Sequence, residues 1–81
     1  MNKFIYITDN LVNYLKQFNL KDIEISSNEK TKVLNVLIEL NAIIFTTKEL
    51  TNIETKDIEK YLNDNLNIGI SELIELENYL Q

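Results

Sequence analysis

The sequence predicts an all-α fold, a compact bundle of four to five short helices that forms a single helical domain over residues 1–81. With 81 residues, the chain is one domain that buries roughly 60% of its surface on folding. Apolar residues make up 44% of it, which is too many for a disordered protein. Between helix-start signals these residues recur every three or four positions, the spacing of amphipathic helices.

The N-terminal segment carries the first such pattern, which predicts a helix over about residues 3–19. The apolar residues on that spacing are Phe4, Ile7, Leu11, Tyr14 and Phe18. Residues 4–8 are also rich in β-prone side chains, and Ile23 and Ile25 alternate around Glu24. The alternative is therefore a minor two-stranded β-element near residues 4–8 and 22–26.

A strongly apolar helix is predicted next, opened by the capping box Ser26–Glu29. Its strongest apolar positions fall within about 60° of one another on a helical projection. They are Val33, Leu37, Leu40 and Ile44. Asn41 would lie on this apolar side, and asparagine tolerates the left-handed conformation that ends helices. We therefore expect the helix to end at Asn41.

A second capping box, Thr46–Glu49, has Phe45 and Leu50 as its hydrophobic staple and predicts a new helix start. Two further helices are predicted after it. Residues 51–55 resemble a break. The apolar face of the following helix consists of Ile58, Tyr61, Leu62 and Leu66. We expect Gly69 to supply a positive φ in the next turn and Ser71 to cap a final helix. That helix is built on Leu73, Leu76 and Leu80.

The acidity of the chain is confined to its C-terminal third. The net charge is −5, yet residues 1–53 hold six lysines and six acidic residues and are balanced. The last 21 residues contain no cation. Such asymmetry is typical of a partner-facing surface, and its plainer interpretation is a solvated helix face. Because apolar residues interleave with the acids, an amphipathic helix is favoured over an acidic tail.

The composition argues against an enzyme, a cofactor and a metal. There is no His and no Cys, so a nucleophilic triad and a thiolate zinc site are excluded. The single glycine, Gly69, cannot form a phosphate-binding loop. Residues 64–75 have the length of an EF-hand loop, but Leu66 and Ile68 stand where calcium needs side-chain oxygens.

These observations favour a small acidic, non-enzymatic protein-binding module. The candidate partner-binding residues lie on the last helix, where acids would steer a basic partner and tyrosine favours an interface. They are Glu72, Glu75, Glu77 and Tyr79, of which Glu72, Glu75 and Tyr79 share one side of the helix. By analogy of size and charge alone, we expect an inhibitor or regulator from a phage or mobile element, similar to anti-CRISPR proteins. Its partner would be a basic nucleic-acid-handling enzyme.

The alternative function is a DNA-binding transcriptional regulator. Thr46–Leu50 followed by Ile58–Leu62 resembles a helix-turn-helix, which implies DNA contacts from Lys48, Lys56 and Lys60. The connection is about three residues shorter than in that motif and lacks its glycine. Acids outnumber lysines on the candidate recognition helix, so it would be repelled by phosphate. Nucleic acid is therefore the weaker expectation.

Oligomeric state and location are the remaining expectations. The broad apolar face of residues 33–44 would allow a homodimer. The longest apolar runs, residues 4–7 and 42–45, are too short to span a membrane. Met1–Lys3 is followed by only four apolar residues, unlike a signal peptide. Without cysteine either, the expected location is the cytoplasm.

Overall fold

The computed structural model describes residues 3–22, 27–50 and 54–81, and it confirms the all-helical prediction. Four α-helices follow one another: α1 (Lys3–Leu15), α2 (Ser27–Leu50), α3 (Thr55–Leu66) and α4 (Ile70–Leu80). The described ranges contain no strand. Residues 4–8 lie in α1, so the alternative β-element is wrong there. Its second half lies mostly at residues 23–26, outside the described residues, as does the proposed cap Ser26.

Helix α1 buries a face that is shifted from the predicted one, although of the predicted residues Leu11, Tyr14 and Phe18 pack half-buried against the core. Phe4, Thr8, Val12 and Leu15 are buried, whereas Ile7 is 53% exposed. The threonine is accommodated because its hydroxyl donates a hydrogen bond to the Phe4 carbonyl at 2.7 Å. A small polar residue can therefore occupy the core face, and periodicity of apolar residues alone misses it.

Helix α2 is the longest element and the centre of the core. Its 24 residues correspond to about 36 Å, close to the 38 Å long axis of the molecule. The four predicted core residues, Val33, Leu37, Leu40 and Ile44, are at most 1% exposed. The helix runs without interruption from Ser27 to Leu50, so the predictions of an end at Asn41 and of a new helix at Thr46–Glu49 are wrong.

Asn41 remains helical because it finds hydrogen-bond acceptors on α4. Its side chain is 6% exposed, and Nδ2 donates to the Leu73 carbonyl at 3.3 Å and to Glu77 Oε1 at 2.9 Å. Thr46, expected as a cap, donates its hydroxyl to the Ala42 carbonyl at 2.9 Å within the helix. Partners 32 and 36 residues away thus decide a helix boundary that local sequence cannot.

The turn between α3 and α4 uses different residues from those predicted. Asn67, at the end of α3, adopts the left-handed conformation with φ 57°, whereas Gly69 has φ −99°. Ser71 lies inside α4 rather than at its cap, because Gly69 is the residue that precedes the helix. Asparagine supplies the positive φ because its short polar side chain tolerates this conformation. The buried faces of both helices agree with prediction, Tyr61 being half-buried.

Helix α2 packs against α1 and α4, and α3 packs against both of these as well. Phe4 and Tyr61 join α1 to α3 by an edge-to-face contact, with ring centroids 6.0 Å apart and planes at 89°. Partial burial and the nearby Asp9 carboxylate raise the pKa of Tyr61, opposed by a hydrogen bond with Thr8. None of the described helices has the length and apolar character needed to cross a bilayer.

Candidate protein-binding site

A surface groove of about 600 Å³ runs between α4 and the turn that follows α1. We call it the α4 groove. Its lining residues are Leu20, Lys21, Asp22, Ile68, Glu72, Glu75, Leu76 and Tyr79. Leu20, Ile68 and Leu76 are 5%, 2% and 8% exposed and belong to the core. The groove therefore has a floor fixed by the fold and a rim of polar side chains that face solvent.

The rim of the α4 groove is acidic. Asp22, Glu72 and Glu75 contribute three carboxylates against the single cation Lys21. All four side chains are exposed, so their charges act in high dielectric and their effect falls as salt rises. Tyr79 is 75% exposed at the same rim. A large aromatic ring beside carboxylates is an arrangement that can receive a lysine or arginine side chain.

The structure brings together three of the four predicted partner-binding residues. Glu72, Glu75 and Tyr79 line the α4 groove, as their shared side of the helix predicted. Glu77 is directed away from it: Oε1 accepts the Asn41 hydrogen bond, and Oε2 accepts one from Gln81 Nε2 at 3.1 Å. Glu77 thus joins α4 to α2 instead of lining the groove.

Two carboxylates hold the N-terminus of α4, and one of them belongs to the groove. Glu72 Oε1 accepts the Gly69 backbone N–H at 3.2 Å, and Glu59 Oε1 accepts the Ile70 N–H at 2.7 Å. Backbone N–H groups at a helix start lack partners within the helix, and negative charge is favourable there. These bonds fix the position of the helix that carries the acidic rim.

Sequence reasoning missed two parts of this site. Glu59 caps a helix that begins 11 residues later, and no spacing rule connects such positions. Leu20, Lys21 and Asp22 follow α1 in an irregular turn, so only the packing of the bundle brings them to α4. The sequence held one signal for this turn. Leu20 stands beside two charged residues, and leucine is among the residue types most often buried, so its burial could have been expected.

The lysines of the alternative DNA-binding hypothesis lie elsewhere, and two of them are paired with acids. Lys56 Nζ is 3.2 Å from Glu54, and Lys60 Nζ is 2.9 Å from Asp64. The hydrogen bond and charge of Asp64 raise the pKa of Lys60. Lys48 lies in the last turn of α2, so residues 46–50 end a long helix and do not begin the short helix of a helix-turn-helix.

Comparison with known proteins leaves the site to be interpreted from its geometry. No protein-family model matches the chain, and neither a curated protein nor a solved structure matches it. Over residues 3–22, 27–50 and 54–81, no group of three or more Asp or Glu side chains is arranged to hold a metal ion.

Proposed function

We propose that this protein is a non-enzymatic binding module that inhibits or regulates a basic protein partner through the α4 groove. The observation that carries the proposal is the groove itself, where Asp22, Glu72 and Glu75 surround an apolar floor beside Tyr79. We propose a partner among nucleic-acid-handling enzymes, because their binding surfaces are basic. A cytoplasmic location agrees with a chain that has no cysteine to oxidise.

The distribution of charge supports a basic partner over a neutral one. The net charge of −5 lies entirely after residue 53, and the groove adds Asp22 to the acids of α4. Acids on an interface rim increase the rate of association with a cationic surface and make it salt-dependent. Tyr79 would contribute to affinity directly, because tyrosines are enriched among the residues that dominate binding energy.

Binding to purified basic nucleases, including guide-RNA-loaded CRISPR nucleases, tests this proposal. Association rates and affinities would be measured at several salt concentrations for the wild-type chain and for E72Q/E75Q and Y79A. We expect the double variant to bind more slowly and with weaker salt dependence. Y79A should lose affinity by about tenfold or more.

The matched control is D57N, which removes an exposed acid from the first turn of α3, outside the groove. It should bind like the wild type. Circular dichroism would show that each variant remains folded, which matters for Glu72 because it also caps α4. If no nuclease in the panel binds, or if binding and its salt dependence survive both groove variants, the proposal is wrong.

The alternative proposal is a DNA-binding regulator that uses Lys48, Lys56 and Lys60. It has less support, because exposed acids accompany two of these lysines at 3.2 and 2.9 Å. A gel-shift experiment with random duplex DNA at low salt distinguishes the two functions. A shift at micromolar protein that is lost in K56Q/K60Q would favour DNA binding over the α4 groove.

A further inference from the structure

One side of α2 is apolar yet faces solvent. Ile38, Ala42 and Phe45 follow one another at helical spacings of four and three, and we call them the α2 outer face. Ile38 and Phe45 are 41% and 54% exposed, and Ala42 is also exposed. Beside them lies a groove of about 310 Å³ between α1 and α2, lined by the apolar Ile7, Ala42 and Ile43 and by the polar Glu39, Thr46 and Thr47. The apolar surface is therefore continuous across both helices.

Helix α2 is apolar around almost its whole circumference from Val33 to Phe45. Asn35, Glu39 and Asn41 are its only polar residues in that stretch, and Asn41 is buried against α4. A helix that is hydrophobic on all sides is normally covered on all sides. In the single chain α1 and α4 cover one side of α2, which leaves the outer face for another molecule.

The charges around this face favour a second copy of the chain over the basic partner of the α4 groove. Helix α2 holds three lysines and three glutamates, and α1 holds one lysine and one aspartate. The formal charges of each helix thus sum to zero, and Glu39 is the one charged residue among those that line the neighbouring groove. Two copies therefore meet less like charge on this side than at the three carboxylates of the α4 groove. A cationic partner would gain nothing here from electrostatic steering.

We propose that two copies of the chain associate through their α2 outer faces, with the two α2 helices antiparallel. Phe45 and Ile38 lie on either side of Ala42, so reversal of one helix places Phe45 of each copy against Ile38 of the other. The small Ala42 then lies near the two-fold axis and allows close approach. Such a self-complementary patch is what a symmetric dimer requires.

The area agrees with a dimer of low affinity. Ile7, Ile38 and Phe45 are 53%, 41% and 54% exposed. With Ala42 and the half-buried Ile43, they form a patch on the order of a few hundred Å², the size of the largest apolar patches on single chains. This is smaller than the about 800 Å² per partner of a standard interface, so the dimer should be a weak one. We expect dissociation constants in the micromolar range.

Sedimentation of the full chain across concentrations tests the association. The wild type should shift from 9.5 kDa at low micromolar concentration toward twice that mass at about 0.5 mM. F45E should remain monomeric over the whole range, because a charge would be buried in the interface. Y79A, in the α4 groove, should associate like the wild type. A wild-type chain that stays monomeric at 0.5 mM, or a dimer that persists in F45E, overturns the proposal.

Cysteine crosslinking tests the antiparallel arrangement, since the natural chain has no Cys. A42C should form a disulfide-linked dimer on mild oxidation, because a disulfide requires Cα atoms about 4.4–6.8 Å apart. The control is S71C, exposed in the first turn of α4, which should crosslink at least tenfold more slowly. Equal rates for the two variants contradict a two-fold axis near Ala42.

Discussion

The α2 outer face and the α4 groove are two exposed surfaces of one small bundle, and they differ in polarity and charge. The first is apolar and electrically neutral, with Phe45 54% exposed at its edge. The second has three carboxylates around a floor of core residues. The two surfaces share no residue.

This difference implies that the two proposed contacts would depend on different physical forces. Contact through the α2 outer face would depend on buried apolar area, which salt barely weakens. Contact through the α4 groove would depend on exposed charges, which are screened within about 8 Å at physiological ionic strength. Salt titration would thus separate the proposed self-association from the proposed binding of a basic partner.

The largest expected difference in stability is between substitutions on the buried side and on the exposed side of α2. Leu37 is fully buried and its neighbour Ile38 is 41% exposed. We expect L37A to lower the free energy of unfolding by about 2–5 kcal/mol, because it leaves a cavity in the core. I38A should change it by less than about 0.5 kcal/mol at concentrations where the chain is monomeric. Urea denaturation measures both, and equal losses would show that the outer face belongs to the core.

A difference in stability of intermediate size is expected between substitutions of Glu77 and of Glu75 on α4. Glu77 accepts a hydrogen bond from the buried Asn41, whereas Glu75 is exposed in the groove. E77A and N41A should each cost about 1–2 kcal/mol of stability, because each leaves a partly buried partner without its bond. E75A should be neutral within about 0.5 kcal/mol.

A double-mutant cycle tests directly whether Asn41 and Glu77 interact. If Asn41 and Glu77 interact as their 2.9 Å distance indicates, the N41A/E77A chain should lose less stability than the two single variants together, by about 0.5–1.5 kcal/mol. Asn41 Oδ1 is buried without a hydrogen-bond partner in the described residues. N41A removes this unpaired oxygen, so part of the free-energy cost of burying Asn41 disappears in the variant. Additive losses in the cycle would mean that Glu77 is simply another solvated acid.

Asn41 also shows how far the sequence could predict this fold. The all-helical class, the core positions of α2 and the shared side of Glu72, Glu75 and Tyr79 follow from helical periodicity, which is a local property. The helix end at Asn41 could not be predicted, because its outcome depends on acceptors 32 and 36 residues away. The same holds for Leu20, Lys21 and Asp22, which reach the groove only through tertiary packing.

The smallest effect concerns the link between the fold and the α4 groove. Glu59 holds the Ile70 N–H at 2.7 Å, and an added Cβ at Gly69 would lie 2.7 Å from Glu59 Oε2. E59A should therefore cost about 1 kcal/mol, since it removes a charged acceptor at a helix start. G69A should give a similar or smaller loss by displacing that carboxylate, and combined with E59A it should add little, because the displaced group is then absent. Thermal unfolding of the three variants measures this. If G69A costs as much in the E59A background as in the wild type, its loss does not arise from displacement of the Glu59 carboxylate.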